Sequence, residues 1–345
     1  MSAPSKITAK PKIAILLSIY NGEKYLAEQI DSLLAQSYKD LLIVIRDDGS
    51  IDKSLSIAQA YAESNPIHFH ILPADAENKG ASGGFAFLMG YVLANKEKLG
   101  LEKAYLMFCD QDDVWFDNKV ELQISAMLQA EKSLGSYNTP VLIHSDLEVV
   151  SSKKAFIAKS LVSFQGLEIQ RNRFPNLLIS NLVTGCTALI NEALAEKALP
   201  IPNTAIMHDW WLAIVASAFG KVIFLEMPLI YYRQHDNNAI GAKEFMRPSP
   251  TKLSFWQRIL SLKPNKHLIE VGIQAAEFKR CFGGELSARN HLALFLCAGM
   301  RLKIGFIQRG FIVWQGDFSC RALRLLGCSF QCAELKPYCN KDLRL

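Results

Sequence analysis

The sequence predicts an α/β fold, a mostly parallel sheet flanked by helices, and three observations point to it. Short, nearly unbroken apolar runs alternate with longer segments of helical periodicity through the first 115 residues. The runs are apolar throughout rather than alternating, as strands covered on both faces must be. Each run also ends in a polar cluster, and the ligand crevice of a doubly wound sheet lies beyond the carboxyl ends of its strands.

The elements follow in order. Ile13 to Ile19 is the first apolar run, and Glu23 to Ala35 places Leu26, Ile30, Leu33 and Leu34 at helical spacing. Leu41 to Ile45 is a second buried strand, closed by Asp47-Asp48-Gly49-Ser50 as a turn. Asp52 can cap a helix running through Leu55 and Ala58 to Tyr61. His68 to Leu72 and Ala104 to Cys109 give a third and fourth strand, and Asn118 to Leu128 a following helix. This βαβαβ order implies right-handed crossovers. Near Arg247-Pro-Ser-Pro250 the composition changes, which divides the chain into residues 1–245 and a mainly helical extension, 246–345.

Charge marks the same division. Residues 246–345 hold 16 Lys and Arg against 6 Asp and Glu, leaving 22 against 27 in residues 1–245. The net +5 of the 345 residues therefore joins an acidic front to a basic tail suited to an anionic partner. In that tail Leu253, Phe255, Trp256, Ile259 and Leu260 fall at helical spacing among Lys252, Arg258, Lys263 and Lys266, an amphipathic pattern for an anionic membrane surface. The same apolar face also suits packing on the front domain or on a second subunit, a homodimer. No nucleic-acid motif accompanies the basic residues.

Other classes are excluded. No Gly-x-Gly-x-x-Gly and no Walker lysine loop occurs, so neither an ordinary dinucleotide fold nor a P-loop NTPase is expected. Leu292 to Met300 is far short of the roughly twenty residues of a span, and residues 212–230 are broken by Lys221, Glu226 and Pro228. Cys109 and Cys186 lie in apolar stretches, and Cys320, Cys328, Cys332 and Cys339 lack Cys-x-x-Cys spacing, so reduced thiols and a cytoplasmic or peripheral protein are expected.

The polar clusters carry the chemistry. Asp110-Gln111-Asp112-Asp113 places three carboxylates within four residues after a strand. Such carboxylates resist burial unless a cation compensates them, and oxygen ligands suit Mg²⁺ or Mn²⁺; the same run also fits a helix N-terminus. Trp115 beside it is placed for stacking on a sugar ring or for the core. Asp47 and Asp48 end a strand, either as a turn and cap or as acceptors for a base N–H or ribose hydroxyls. His208-Asp209-Trp210-Trp211 heads a helix: Asp209 is a cap or a general base, and one of two adjacent tryptophans is expected to line a pocket. His235, beside Arg233 and Gln234 just past a strand, is a candidate metal ligand or phosphate contact.

Together these pieces resemble glycosyltransferase family 2. The resemblance is carried by Leu17-Ser18-Ile19-Tyr20-Asn21-Gly22-Glu23, Gln36-Ser37-Tyr38, Asp47-Asp48-Gly49-Ser50-Ile51-Asp52, Asn78-Lys79-Gly80, Asp110-Gln111-Asp112-Asp113-Val114-Trp115, Thr184-Gly185-Cys186, His208-Asp209-Trp210-Trp211 and Tyr232-Arg233-Gln234-His235, in the family's order over roughly residues 11–241. The later pieces are similar to its bacterial rhamnosyltransferase branch. The resemblance implies a GT-A fold, Rossmann-like, and an inverting mechanism. It places Ser18, Tyr20 and Asp48 on the nucleoside, with Asn21, Asp47, Asn78, Gly80, Asp110 and Arg233 also on the donor side. It makes Asp110-x-Asp112 the metal motif, with Asp112 and later His235 as ligands, and Asp209 the base that deprotonates the acceptor hydroxyl. Trp115, Trp210 and Trp211 would then face the acceptor. The implied reaction moves a sugar from a nucleotide-diphosphate donor, dTDP-L-rhamnose before a UDP-hexose, to a carbohydrate or lipid-linked hydroxyl in surface-polysaccharide assembly. A binding-only scaffold is the alternative, and Asp112, Asp209 and His235 argue against it. Many members have Glu-Asp where this chain has His208-Asp209, which alters the charge beside the base.

Overall fold

The computed structural model describes residues 10–73, 77–235 and 266–299. They fall into two compact units. One comprises Met1–Leu161, Val183–Ile201 and Met207–Ala242; the other comprises Val162–Leu182, Pro202–Ile206 and Lys243–Leu345. Two stretches of the first 245 residues thus group with the C-terminal residues.

The first unit is built on a nine-stranded sheet in the order β3-β2-β1-β4-β8-β6-β9-β5, with β7 paired to β6. Its central strand β1, Ile13–Ile19, is fully enclosed at every position but Ser18, because neighbours cover both edges and helices both faces. It runs parallel to β2 (Leu41–Asp47) on one side and β4 (Tyr105–Cys109) on the other, and β2 runs parallel to β3 (Phe69–Ile71). Those four strands are the ones the apolar runs announce. Beyond them the sheet is mixed. β8 (Leu189–Ile190) is antiparallel to both β4 and β6 (Val141–Ser151), β6 is parallel to β9 (Lys221–Gln234), and β5 (Val114–Trp115) is antiparallel to β9. β7, Phe156–Ala158, pairs antiparallel with β6.

The helices that position the crevice are α1 (Leu26–Leu34), α2 (Ser54–Ser64), α3 (Gly80–Asn95) and α4 (Lys119–Leu134). α1 begins at Leu26 rather than Glu23 because the preceding backbone is committed elsewhere. The Asn21, Gly22 and Glu23 N–H groups donate to Ser50 Oγ, Ser54 Oγ and Asp52 Oδ2, at 3.0, 2.7 and 3.0 Å. α4 runs on past Leu128 until Gly135, whose φ of 63° ends it. The short α5 (Leu161–Phe164) and α6 (Phe174–Leu177) follow, then α7 (Glu192–Ala198), capped by the Asn191 side chain, and α8 (His208–Phe219).

α8 corrects one expectation. Every residue from His208 to Ala216 is buried, so the helix is enclosed all round and both tryptophans face protein.

The second unit centres on α9 (Lys266–Phe282), joined through a short 3₁₀ turn to α10 (Ala288–Gly299). Leu268, Val271, Ala275, Phe278 and Phe282 form its buried stripe, and Phe278 packs against Phe174 and Phe282 at 5.4 and 4.8 Å between ring centroids. These helices agree with a helical C-terminal region. The amphipathic segment 253–260 lies outside the described residues. No helix among the described residues is long and apolar enough to cross a membrane.

Candidate active site

At the carboxyl ends of β1, β2 and β4 the polar clusters meet, as strand order requires. Tyr20, half exposed, exchanges two hydrogen bonds with Gln111. The Tyr20 N–H donates to Gln111 Oε1 at 2.8 Å, and Gln111 Nε2 donates to Tyr20 O at 2.9 Å. Asn21 holds a positive φ of 47°, and its Oδ1 accepts from the Ile51 N–H at 2.9 Å. A Cβ on Gly22 would lie 2.3 Å from Gln111 Oε1, so any side chain there would displace the Gln111 amide.

The adjacent carboxylates at the end of β2 have different partners. Asp47 accepts from both the N–H and the hydroxyl of Ser50 and is committed to its own turn, so the structure gives it a turn-holding rather than a donor-binding position. Asp48 forms a buried ion pair with Arg46, and its Oδ2 accepts from the Gly80 N–H at 2.8 Å. Gly80 has a φ of 64°, which glycine tolerates without strain, and its N–H is shared with Asn78 Oδ1. Arg46 also donates to Glu77 O at 2.8 Å and lies over the Phe87 ring at 5.2 Å. Ser18 stands opposite: a Cβ on Gly84 of α3 would come within 2.7 Å of Ser18 Oγ. Ser18, Asp48, Asn78 and Gly80 therefore share one corner.

The second corner holds the acidic run. Burial, reinforced by the carboxylates of Asp112 and Asp209, pushes Asp110 up to about 7. That mutual repulsion records how closely three carboxyl groups have been brought together, and it is what a bound cation relieves. Asp113 is completely buried, and burial followed by the carboxylates of Asp112 and Asp110 raises it well above the carboxylate range. Asp112 stays partly exposed and its Oδ2 is 2.7 Å from His235 Nε2, although 123 residues separate the two. The His235 ring stacks on Tyr25 at 5.0 Å between centroids, 25° from parallel. A carboxylate and an imidazole at the crevice surface fit a divalent cation of the Mg²⁺ or Mn²⁺ type. Ligand atoms of Asp110, Asp113 and Cys186 also lie within 4.8 Å of one another, but the buried thiol makes that deeper set a poorer match to a hard ion.

Asp209 opens α8, and its Oδ1 accepts from the Trp210 N–H at 2.6 Å. Gly185 packs beside it: a Cβ there would lie in ordinary contact with Asp209 Oδ2, at 3.5 Å, and only 3.0 Å from His208 Nε2. His208 is a neutral imidazole pushed down to about 3 by burial, packed against Phe85 and Phe108. It adds no charge beside the candidate base.

Two groups of expected contacts are corrected. Trp115, Trp210 and Trp211 are 3, 4 and 1% exposed, so all three are core side chains rather than acceptor platforms. The Trp211 indole donates to Ala198 O, and Lys119 lies 3.7 Å over the Trp115 ring. Arg233 is likewise enclosed, at 3% exposure, with its guanidinium bonded to protein groups where a donor contact was expected. Gln111, Arg46, Tyr25 and Lys119 carry no role in the sequence reading. The two charged residues have a visible signal, a lone cation beside otherwise apolar helix or strand positions.

A family model described as glycosyl transferase family 2 matches residues 14–196, more than half of the chain. The chain belongs to glycosyl transferase family 2. Among curated relatives, this family 2 chain is 28% identical over 232 residues to an uncharacterized glycosyltransferase of Rickettsia typhi, covering 66% of each protein. It is 29% identical over 235 residues to the dTDP-rhamnosyl transferase RfbG of Shigella flexneri, covering 66% of this chain and 74% of that one. The match spans slightly less than two thirds of the Rickettsia typhi protein, and only 35% of a longer glycosyltransferase from Rickettsia bellii. Among solved structures, TarS residues 1–349 of S. aureus in complex with UDP-GlcNAc aligns with a TM-score of 0.48 at 15% identity, covering 91% of this chain and 83% of that one. The mannosyltransferase PcManGT of Pyrobaculum calidifontis, in complex with GDP-Man and Mn²⁺, aligns with a TM-score of 0.48 at 17% identity over 96% of this chain and 83% of that one.

Proposed function

We propose that this family 2 protein is an inverting, Mg²⁺- or Mn²⁺-dependent glycosyltransferase that moves a sugar from a nucleoside-diphosphate donor to an acceptor hydroxyl. The observation that carries the reading is the meeting of Asp110, Asp112 and Asp209 at the end of β4, with His235 brought to Asp112 from the end of β9. Ser18 and Asp48 take the nucleoside, with Tyr20, Asn21, Asn78 and Gly80 shaping that corner. Asp112 and His235 hold the cation, with Asp110 beside them. The ion, when bound, neutralises the charge gathering on the departing diphosphate. Asp209 accepts the proton of the attacking hydroxyl, a task suited to a carboxylate in an enclosed, aromatic-walled position.

The donor we favour is dTDP-L-rhamnose, supported by the relationship to the Shigella flexneri protein. The acceptor belongs to surface polysaccharide, free or lipid-linked, and residues 1–245 form the catalytic domain while basic residues 246–345 meet the inner membrane face. A screen of nucleotide sugars for metal-dependent release of nucleoside diphosphate tests the donor and the class together. dTDP-L-rhamnose should react fastest; a preference for UDP-hexoses rejects the donor, and no release from any of them rejects the activity.

A further inference from the structure

We infer that Arg233 is a positioning residue that assembles the two halves of the candidate metal site, Asp112 and His235, and makes no contact with the donor's phosphates. The inference rests on the metal reading above and deepens it.

Arg233 stands near the end of β9, two residues before His235, and it reaches three separate segments. Its Nε donates to Asp112 O at 2.8 Å, its Nη1 to Ser152 O at 3.0 Å in the turn between β6 and β7, and its Nη2 to Glu28 Oε2 in α1. The Arg233 backbone N–H donates to Asp113 Oδ1 at 3.1 Å. Asp112 is thus gripped through its main chain and Asp113 through its side chain by one residue of the strand that carries His235.

Tyr25 completes the arrangement. The Arg233 guanidinium lies over its ring at 4.6 Å, and the His235 imidazole stacks on the same ring. A planar fork places its N–H donors on three separate nitrogens and so spans partners that the compact ammonium of lysine cannot reach together. Partners behind metal ligands fix ligand orientation, and losing one typically weakens metal binding about 10- to 100-fold. Glu28 keeps the far end of the fork charged. Burial opposes its ionisation, but its bonds to Lys154 and Arg233 outweigh that and hold its pKa below the usual value.

The test uses the full-length protein and Mn²⁺ itself. Bound and free Mn²⁺ are separated by electron paramagnetic resonance with nucleoside diphosphate present, and turnover is measured against Mn²⁺ concentration. For Arg233→Lys, half-saturating Mn²⁺ should rise about tenfold or more, while turnover at saturating Mn²⁺ stays within a few-fold of wild type. Glu28→Gln, at a partly exposed position, should shift Mn²⁺ affinity in the same direction by less, and it decides the matter if Arg233→Lys fails to fold. Unchanged Mn²⁺ affinity in the folded variants overturns the inference and leaves the metal reading standing. So does a loss of turnover that added Mn²⁺ cannot restore. A wild-type protein that neither binds Mn²⁺ nor needs it removes the metal reading, and this inference with it.

Discussion

Gln111 and Tyr20 exchange two hydrogen bonds across 91 residues of sequence, each serving the other as donor and acceptor. The pair ties the loop after β1 to the acidic loop after β4, so one amide side chain links the proposed nucleoside corner to the proposed metal corner. Replacing Gln111 with Ala removes both bonds, each worth about 1 kcal/mol. The donor KM should then rise roughly tenfold while kcat changes little. Steady-state kinetics with varied donor would show it, and an unchanged KM would mean the loops hold their places without the amide.

Asp112 stands where a cation is proposed, and Asp112→Asn preserves its size while removing a ligand charge. Turnover should fall by orders of magnitude, and a chelator should do the same to the wild type. Full activity in chelator would end the metal hypothesis.

Asp209→Asn keeps the shape at the start of α8 and the acceptor for the Trp210 N–H but removes the proton acceptor. Transfer should drop about a hundredfold or more with donor binding retained. Gly185→Ala approaches the same group from outside. Its methyl would meet His208, the neighbour of Asp209, at 3.0 Å and push that ring aside, so kcat should fall while donor affinity, measured by calorimetry, holds. Loss of donor affinity together with stability in both variants would favour a helix-capping role for Asp209.

The Arg46–Asp48 pair is almost fully buried, and removing one partner of such a pair is costly. Asp48→Ala should destabilise the fold by roughly 3–5 kcal/mol, the usual cost of removing one partner of a buried pair. Replacing both residues with apolar ones of similar size should recover much of that. Urea unfolding of the single and double variants forms the cycle, and additive losses would show that the pair does not act as a unit.

What the sequence disclosed and what it hid divide along physical lines. Strands such as Ile13–Ile19 are buried on both faces and announce themselves as apolar runs, so the parallel half of the sheet was readable. β5 and β8 are two residues each, too short for any periodicity, and they make the sheet mixed. Motif order brought Asp112 and His235 into one hypothesis, and their 2.7 Å approach agrees with it. The tryptophans and Arg233 misled because residue type suggests a ligand while enclosure decides what a side chain touches. Enclosure depends on contacts distant in sequence, as the α8 packing and the four-way grip of Arg233 show.

Lys119 is wholly buried against Trp115, with its Nζ 2.6 Å from Gln123 Oε1, and Gln123 in turn donates to Thr187 O. Burial pushes its amine down to about 7. In the unfolded chain the same amine keeps its proton to about pH 10.4. Between those limits the unfolded chain carries one proton more than the folded one, so this residue makes stability rise with pH and fall as pH drops toward 7. Lys119→Met fills the same space with nothing to titrate. Its stability relative to wild type should therefore be greatest near pH 7 and shrink by on the order of 1 kcal/mol per pH unit toward pH 9. The comparison cancels the buried thiols of Cys109 and Cys186, whose raised pKa values pull stability the other way above about pH 8.5 in both proteins. Urea melts at pH 7, 8 and 9 measure the difference, and parallel curves would show that Lys119 folds with its charge intact.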